Sequence, residues 1–273
     1  MGRLVDRRRM TRLRDGVATE VVDQLAVEEP LTIRVNGVDT TTTMRTPGHD
    51  IELALGWLVS EGTVHTPQDV IGAIACDENT VEVRLASKLI PPAPRLTMTS
   101  SACGICGADS ITEVVTRRGT VLGNAARVSS TVIAALPDRL RAAQSAFDRT
   151  GGLHAAGLFT FDGDPVCIRE DVGRHNAVDK VVGWALQHEA LPASEWLLQV
   201  SARASFELTQ KAVMAGIPML TAVSAPSTLA VDLARESGLT LVGFSRNDSF
   251  NCYAGVERIR LAEAAAPRAA QPH

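Results

Sequence analysis

The sequence predicts an α/β protein: a C-terminal unit on a mixed, mostly parallel sheet with helices on both faces, preceded by a smaller α+β unit. Three observations carry this. From Trp196 to Phe244, short apolar runs alternate with amphipathic segments, the order that lays parallel strands under covering helices. Asn36-Gly37 and Asp162-Gly163 each separate two β-rich runs, as hairpin turns do. The chain has 273 residues, 45% of them hydrophobic and 21% charged, enough for one large core or two small ones.

The elements follow in order. Residues 1–27 read as a basic flexible tail, with Arg3, Arg7, Arg8, Arg9, Arg12 and Arg14 against Asp6 and Asp15. The N-terminal unit is placed at 28–96. Leu31–Val35 and Val38–Met44 are strands around Asn36-Gly37. Thr46 suits an N-cap and Pro47 the first helical position, and Ile51, Ala54, Leu55, Leu58 and Val59 then recur at helical spacing until Gly62. Val81, Val83 and Leu85 alternate as a strand, and Pro91, Pro92 and Pro94 break the pattern. A connecting segment, 97–130, holds a glycine- and serine-rich stretch that reads as an exposed, mobile cysteine loop.

The C-terminal unit covers 131–262. A helix over Val132–Phe147 leads to the hairpin Leu158–Phe161 and Val166–Ile168. Asn176 caps a helix whose Val178, Val181, Val182, Ala185 and Leu186 form one apolar stripe. Strands at Trp196–Val200, Pro218–Val223 and Leu239–Phe244 then enclose helices at Ser205–Ala215 and Ser227–Glu236. Residues 263–273 read as a second flexible tail.

Composition narrows the function classes. With 27 basic and 31 acidic side chains, the formal net charge of −4 argues against a protein devoted to nucleic acid, and 4% aromatics leaves little for base stacking. No apolar run reaches the roughly 18 residues of a membrane span. The five cysteines, Cys76, Cys103, Cys106, Cys167 and Cys252, are an odd number in a long chain, which fits a reducing cytoplasmic setting better than a secreted disulfide framework.

Cys103-Gly104-Ile105-Cys106 is the sharpest motif. Two buried cysteines would need an apolar shell, and serines and glycines surround these. A structural zinc site takes four ligands, so one pair requires distant residues or a second subunit. A thioredoxin-like dithiol sits at a strand-to-helix turn, which is not evident here. Dithiol or sulfur chemistry on an accessible thiolate is therefore favoured over a metal site, and no structural metal is expected. Cys76, Cys167 and Cys252 stand singly and read as packing residues.

A second set of residues lies at strand ends. In open α/β sheets ligands bind beyond the carboxyl ends of the strands. Here those ends read Ser201-Ala202-Arg203-Ala204-Ser205, Ser224-Ala225-Pro226-Ser227-Thr228 and Phe244-Ser245-Arg246-Asn247-Asp248-Ser249. The first two open helices, whose free N–H groups favour anions, and Arg203 and Arg246 add forked donors for phosphate. Asn247 and Asp248 can read the edge of a nucleobase. Simple capping by Ser and Thr explains each end singly, while three together imply a phosphorylated ligand. Arg169–Asp179 is a further polar stretch, in which Arg174 and His175 can orient an anion and Asp171 can pair with Arg174. The His-x-Glu and Cys-x-x-Cys pattern of zinc deaminases is absent around His154-Ala155-Ala156, so hydrolytic deamination is not expected. Asp50 and Glu52 beside His49 admit an acid/base pair, although a helix start attracts acids anyway.

Several of these segments, in order, resemble the FdhD family of formate dehydrogenase accessory sulfurtransferases: Cys-Gly-Ile-Cys-Gly at 103–107, Thr-Gly-Gly-Leu-His at 150–154, Glu-Asp-Val-Gly-Arg-His-Asn-Ala-Val-Asp-Lys at 170–180, Ser-Ala-Arg-Ala-Ser-Phe-Glu at 201–207 and Ala-Val-Ser-Ala-Pro-Ser-Thr-Leu-Ala at 222–230. The helix from Arg45 to Gly62 is also similar. The resemblance implies a cytidine-deaminase-like C-terminal domain that has lost its zinc motif. It implies a cytoplasmic homodimer that takes sulfur from a cysteine desulfurase and passes it to the molybdenum cofactor, Mo-bis(molybdopterin guanine dinucleotide), for a molybdenum-dependent formate dehydrogenase. Cys103 is then the persulfide carrier and Cys106 its assistant. Phe244, Ser245, Arg246, Asn247, Asp248 and Ser249 are then the cofactor-binding stretch, with GDP as a mimic. Two rivals stay open at this point: a cofactor-binding chaperone without thiol chemistry, and a protein holding zinc through its cysteine pair.

Overall fold

The computed structural model describes residues 4–94, 111–118 and 127–261. The N-terminal arm is the first departure from expectation. Val5–Arg14 (β1) and Val17–Ala26 (β2) form an antiparallel hairpin in unbroken register from Val5↔Ala26 to Arg14↔Val17, not a tail. Its turn is Asp15-Gly16, with φ of 52° and 76°. That dipeptide is a type I′ signal, but the strands around it lack apolar alternation because so much of the ribbon faces water.

Glu29–Val35 (β3) and Val38–Arg45 (β4) form the expected hairpin, again turning through left-handed Asn36 and Gly37. They join Val70–Asp77 (β5) and Thr80–Leu85 (β6) in a four-stranded sheet ordered β4-β3-β6-β5, in which β3 and β6 run parallel. The helix Asp50–Ser60 (α1) covers this sheet. It starts three residues later than the Thr46-Pro47 signal suggests, because Gly48 and His49 hold φ of 101° and 59°. Arg45 is fully buried, and its guanidinium reaches Asp50, Glu29, the Asn79 side chain and the Glu78 carbonyl, so one side chain ties β4, the start of β3, α1 and the β5–β6 turn together.

After Ile111–Arg118 (α2) come Val128–Ser129 (β7), Ser130–Ala142 (α3) and Ser145–Thr150 (α4), so the single helix predicted over Val132–Phe147 is two, broken at Ala143-Gln144. His154–Thr160 (β8), Pro165–Asp171 (β9), Arg174–Gln187 (α5), Trp196–Val200 (β10), Phe206–Met214 (α6), Met219–Ala222 (β11), Thr228–Ser237 (α7), Thr240–Arg246 (β12) and Ser249–Ala254 (β13) follow. Ile259–Arg260 (β14) pairs with β7. The main sheet has the order β13-β12-β11-β10-β8-β9. Only β10–β11 and β11–β12 are parallel; β8–β9, β8–β10 and β12–β13 are antiparallel. The sheet is mixed, as expected, but not mostly parallel. The α/β alternation that predicts parallel strands spans only β10 to β12, and hairpins add the rest.

Side-chain alternation sends Leu197, Met219 and Val242 to a core under α3, and Leu198, Leu220 and Leu241 to the opposite core under α5, α6 and α7. Helices therefore cover both faces. The second core does not stop at the sheet: Leu31, Ile33, Val81 and Val83 of the N-terminal sheet belong to it as well. Helices α1 and α5 join the two halves at touching backbones. A Cβ on Gly56 would lie 1.8 Å from the Asp179 carbonyl oxygen, and one on Gly183 would lie 1.8 Å from that of Glu52. Beside this crossing, Asp179 accepts from Lys211 Nζ at both carboxylate oxygens (2.7 and 2.8 Å) and from the Ser60 hydroxyl (2.8 Å), all three residues buried. Among the described residues no helix is long and apolar enough to cross a membrane.

Candidate functional site

The strand ends singled out in the sequence meet on one edge of the main sheet. Strand β8 is antiparallel to both β9 and β10, so its start, His154, lies with the ends of β9 and β10. The loop after β10 touches the loop after β11: Ala204 bridges to Pro226, and Ser227 N–H donates to the Ala204 carbonyl at 3.0 Å. The loop after β11 in turn touches β12, where Phe244 N–H donates to the Ser224 carbonyl at 3.2 Å. Gly243 permits this approach, since a Cβ there would sit 3.0 Å from Pro226 Cδ and 3.1 Å from the Ser224 oxygen. The three ends form one continuous ledge.

At its outer end the ledge carries the stretch Phe244 to Ser249. Asn247 and Asp248 are the two central residues of the β12–β13 hairpin, both left-handed (φ 50° and 56°), which is the type I′ geometry that Asn and Asp tolerate. Phe244 is also left-handed (φ 53°) in an irregular stretch of the strand, a costly conformation for a bulky residue, and the residue stands 36% exposed. Phe244, Arg246, Asn247, Asp248 and Ser249 are all exposed, whereas Ser245 points inward and donates to the Ile133 carbonyl at 3.3 Å. The Ser245 hydroxyl therefore serves the α3 contact.

The inner end is a corner of His154, Ser201, Arg174, His175 and Glu207. Ser201 Oγ takes the Ala155 N–H at 2.9 Å and lies 3.5 Å from His154 Nδ1. His175 Nε2 stands 3.7 Å from Glu207 Oε2. The His175 hydrogen bond, against the opposing effect of burial and with help from the Ser205 hydroxyl, holds the Glu207 carboxyl at about 2. Burial, then the charges of Arg174 and His175, push the His154 imidazole below its ordinary range. The Arg174 Nε is buried and has no hydrogen-bond partner among the described residues. About three strand spacings, roughly 14 Å, separate this corner from Phe244. Such a ledge, with Arg246 at its outer end, Arg203 between and Arg174 at its inner end, suits an elongated anion.

The polar stretch 169–179 also has structural work. Asp171 is fully buried and accepts from Lys180 Nζ (2.7 Å), Gly173 N–H (2.8 Å), Asn176 Nδ2 (3.0 Å) and Thr46 N–H (3.2 Å). It pairs with Lys180, not with Arg174 as the sequence suggests. Asn176 does not cap α5, whose N-cap is Gly173; it sits inside the helix and donates to the Met44 carbonyl at 2.7 Å. Asp171 thus fixes the turn that presents Arg174 and His175. Sequence reasoning missed Glu207 as their neighbour, because an acid in the first turn of a helix needs no partner to explain it.

Other candidates fall away. Asp50 is held by Arg45, and Glu52 by Arg169 at 2.6 and 2.8 Å. Burial opposes ionisation of Glu52, but the bonds from Arg169 and His49 outweigh it and hold the carboxyl at about 2, which leaves no acid/base pair. Cys167 is buried and its thiol is pushed up to about 12; Cys252 is half-buried and also raised by burial. Cys76, read as a packing residue, is exposed instead. Cys103 and Cys106 lie outside the described residues.

Comparison with known proteins follows the same line. The family described as "FdhD/NarQ family" matches residues 26–260. Proteins named "Sulfur carrier protein FdhD" from Streptomyces avermitilis and Nocardia farcinica are 54% and 52% identical, over 97% and 96% of this chain and 99% and 98% of theirs. One of the same name from Sulfolobus acidocaldarius is 42% identical over 93% of this chain and 98% of its own. The crystal structure of a candidate formate dehydrogenase accessory protein from Desulfotalea psychrophila superposes with a TM-score of 0.76 at 23% identity, over 94% of this chain and 100% of that one, and so shares the fold. On the family match and on identity that holds across nearly the whole length, the chain belongs to the FdhD/NarQ family.

Proposed function

We propose that this protein is a sulfur carrier, a sulfurtransferase acting on the molybdenum cofactor of a formate dehydrogenase. The observation that carries this is the naming of relatives at about half identity, end to end, as sulfur carrier proteins, in a chain with one close cysteine pair. In this reading the Cys103 thiolate attacks the outer sulfur of a persulfide on a cysteine desulfurase, and the donor's cysteine leaves as thiolate. Cys106 thiolate then attacks Cys103 sulfur, expelling hydrosulfide toward the metal and closing a disulfide that a dithiol must later reduce. The substrate is Mo-bis(molybdopterin guanine dinucleotide). Its guanine lies at Phe244, Arg246, Asn247 and Asp248, and its phosphates run along the ledge past Arg203 toward Arg174 and His175, with GDP as a mimic of one end.

The resemblance extends this reading to a homodimer in the cytoplasm whose C-terminal unit is of the cytidine-deaminase type without its zinc. The test is intact-protein mass spectrometry after incubation with a cysteine desulfurase and cysteine. One sulfur mass is expected on the chain and none on Cys103→Ala, which also fails to activate formate dehydrogenase. Full activation by the Cys103→Ala, Cys106→Ala double variant refutes the carrier and leaves a cofactor-binding chaperone.

A further inference from the structure

We infer that Glu207 is a positioning residue for anion binding: it holds His175 protonated and in place at the inner corner, so that the imidazolium works on phosphate beside Arg174. This role deepens the proposed function and rests on its reading of that corner as a phosphate site. Helices α5 and α6 meet through two charged rungs, His175 with Glu207 and, one turn further along both helices, Asp179 with Lys211. The second rung secures the helix contact. Asp179 accepts from Lys211 Nζ at 2.7 and 2.8 Å and from the Ser60 hydroxyl at 2.8 Å. The first rung is looser, at 3.7 Å, and nearer water, the Glu207 side chain being 20% exposed against 4% for Asp179. It adds little to a contact that the second already holds.

The surroundings of the first rung point to a ligand. Arg174 Nε is buried without a hydrogen-bond partner among the described residues. Neither α5, which starts at Gly173, nor α6, which starts at Ser205, has a side-chain cap, so their first-turn N–H groups are left to other partners. The titratable and charged groups gathered here are Arg174 on the same helix as His175, Glu207 from α6, His154 from β8 and Asp171 from the end of β9, whose charge Lys180 matches at 2.7 Å. Glu207 is thus the carboxylate at this corner that no lysine matches. A buried imidazole beside an arginine sheds its proton unless an anion faces it. Glu207 supplies that anion throughout the range in which histidine titrates, because the bond from His175 holds its carboxyl at about 2. It therefore acts on a bound phosphate in two opposite ways, attracting it through His175 and repelling it by its own charge. Where His175 would otherwise be neutral, attraction wins. Where acid protonates His175 in any case, only repulsion is left. A side chain that merely packs α5 against α6 shifts affinity alike at every pH.

The experiment is calorimetric titration of the full chain with pyrophosphate, which stands for the linked phosphates of the dinucleotide, at about pH 5 and about pH 8. Comparing wild type with Glu207→Gln at each pH cancels the ionisation of the probe itself. Glu207→Gln is expected to bind about tenfold more weakly at the higher pH and about threefold more tightly at the lower. Glu207→Asp, which keeps the charge, shows no such reversal. In a His175→Gln background, Glu207→Gln only tightens binding, at both pH values, which assigns the reversal to His175 and not to His154. Urea unfolding of each variant shows that it is folded. A Glu207→Gln effect that is the same at both pH values overturns the positioning role; if Arg174→Gln still weakens pyrophosphate about tenfold, the phosphate corner stands without it. A wild type that binds no pyrophosphate overturns both. Sulfur loading at Cys103, measured on the same samples, tests the carrier separately.

Discussion

Replacing Gly56 or Gly183 with alanine sets two known effects against each other. Alanine in place of glycine within a helix is worth about 1 kcal/mol in its favour. At these positions the new Cβ would lie 1.8 Å from a carbonyl oxygen of the facing helix, where real Cβ atoms keep at least 3.0 Å. The helices α1 and α5 must part by at least about 1.2 Å, and the obstacle is backbone, which no rotamer change can move aside. Parting them also pulls Ser60 and Lys211 from Asp179. Overpacking of this kind costs about 3 kcal/mol, so each variant is destabilised by about 2 kcal/mol and melts roughly 4–8 °C lower. The double variant falls well short of twice that loss, because one displacement relieves both clashes. Gly72→Ala, with nothing within 4 Å of its added Cβ, is the control and keeps or slightly raises the melting temperature. Thermal unfolding decides the matter. A Gly56→Ala protein as stable as wild type would show that the two halves are not in backbone contact.

Other outcomes can be measured directly. Asp179→Asn leaves the Lys211 ammonium buried against a neutral amide and costs about 3 kcal/mol or more in urea unfolding; a loss under 1 kcal/mol counts against a buried pair. Glu52 and Glu207 both have folded values near 2, below the ordinary 4.5, so their stabilising contribution is full above about pH 4.5 and is lost as pH falls toward 2. Glu52→Gln therefore flattens the acid limb of the stability curve, and an unchanged limb contradicts the Arg169 pairing. In nuclear magnetic resonance titrations His154 protonates below its ordinary midpoint of 6.5. Saturation with GDP moves that midpoint upward if phosphates reach the inner corner; a midpoint that stays put removes them from it. Phe244→Ala weakens GDP binding about tenfold or more if the ring carries the base, as read by calorimetry, and equal affinity rules the stacking out.

Much of the C-terminal fold was legible because burial there imposes strong patterns. Strand β10 runs from Trp196 to Val200 as predicted, and helices α6 and α7 begin within one residue of Ser205 and Ser227, where the sequence put them. Where both faces meet water the pattern weakens, which hid β1, β2 and β13 although Asp15-Gly16 was a readable turn. Long-range facts were not legible at all. No spacing reveals that Gly56 meets Asp179 or that His175 meets Glu207, since those neighbours are created by the crossing of α1 with α5 and of α5 with α6. The site followed the same division. Its strand ends were visible as polar punctuation after apolar runs, while the inward turn of Ser245 depended on α3, packed from more than a hundred residues upstream.

Burial of Cys167 and Cys252 bears on the fidelity of sulfur handling. The Cys167 thiol, held near 12, is almost never an anion at neutral pH, and burial raises Cys252 as well, so neither is a ready nucleophile for a sulfane atom. Cys76, standing in water, is then the only described cysteine open to mislabelling, and its removal gives a chain whose cargo can be counted without a decoy.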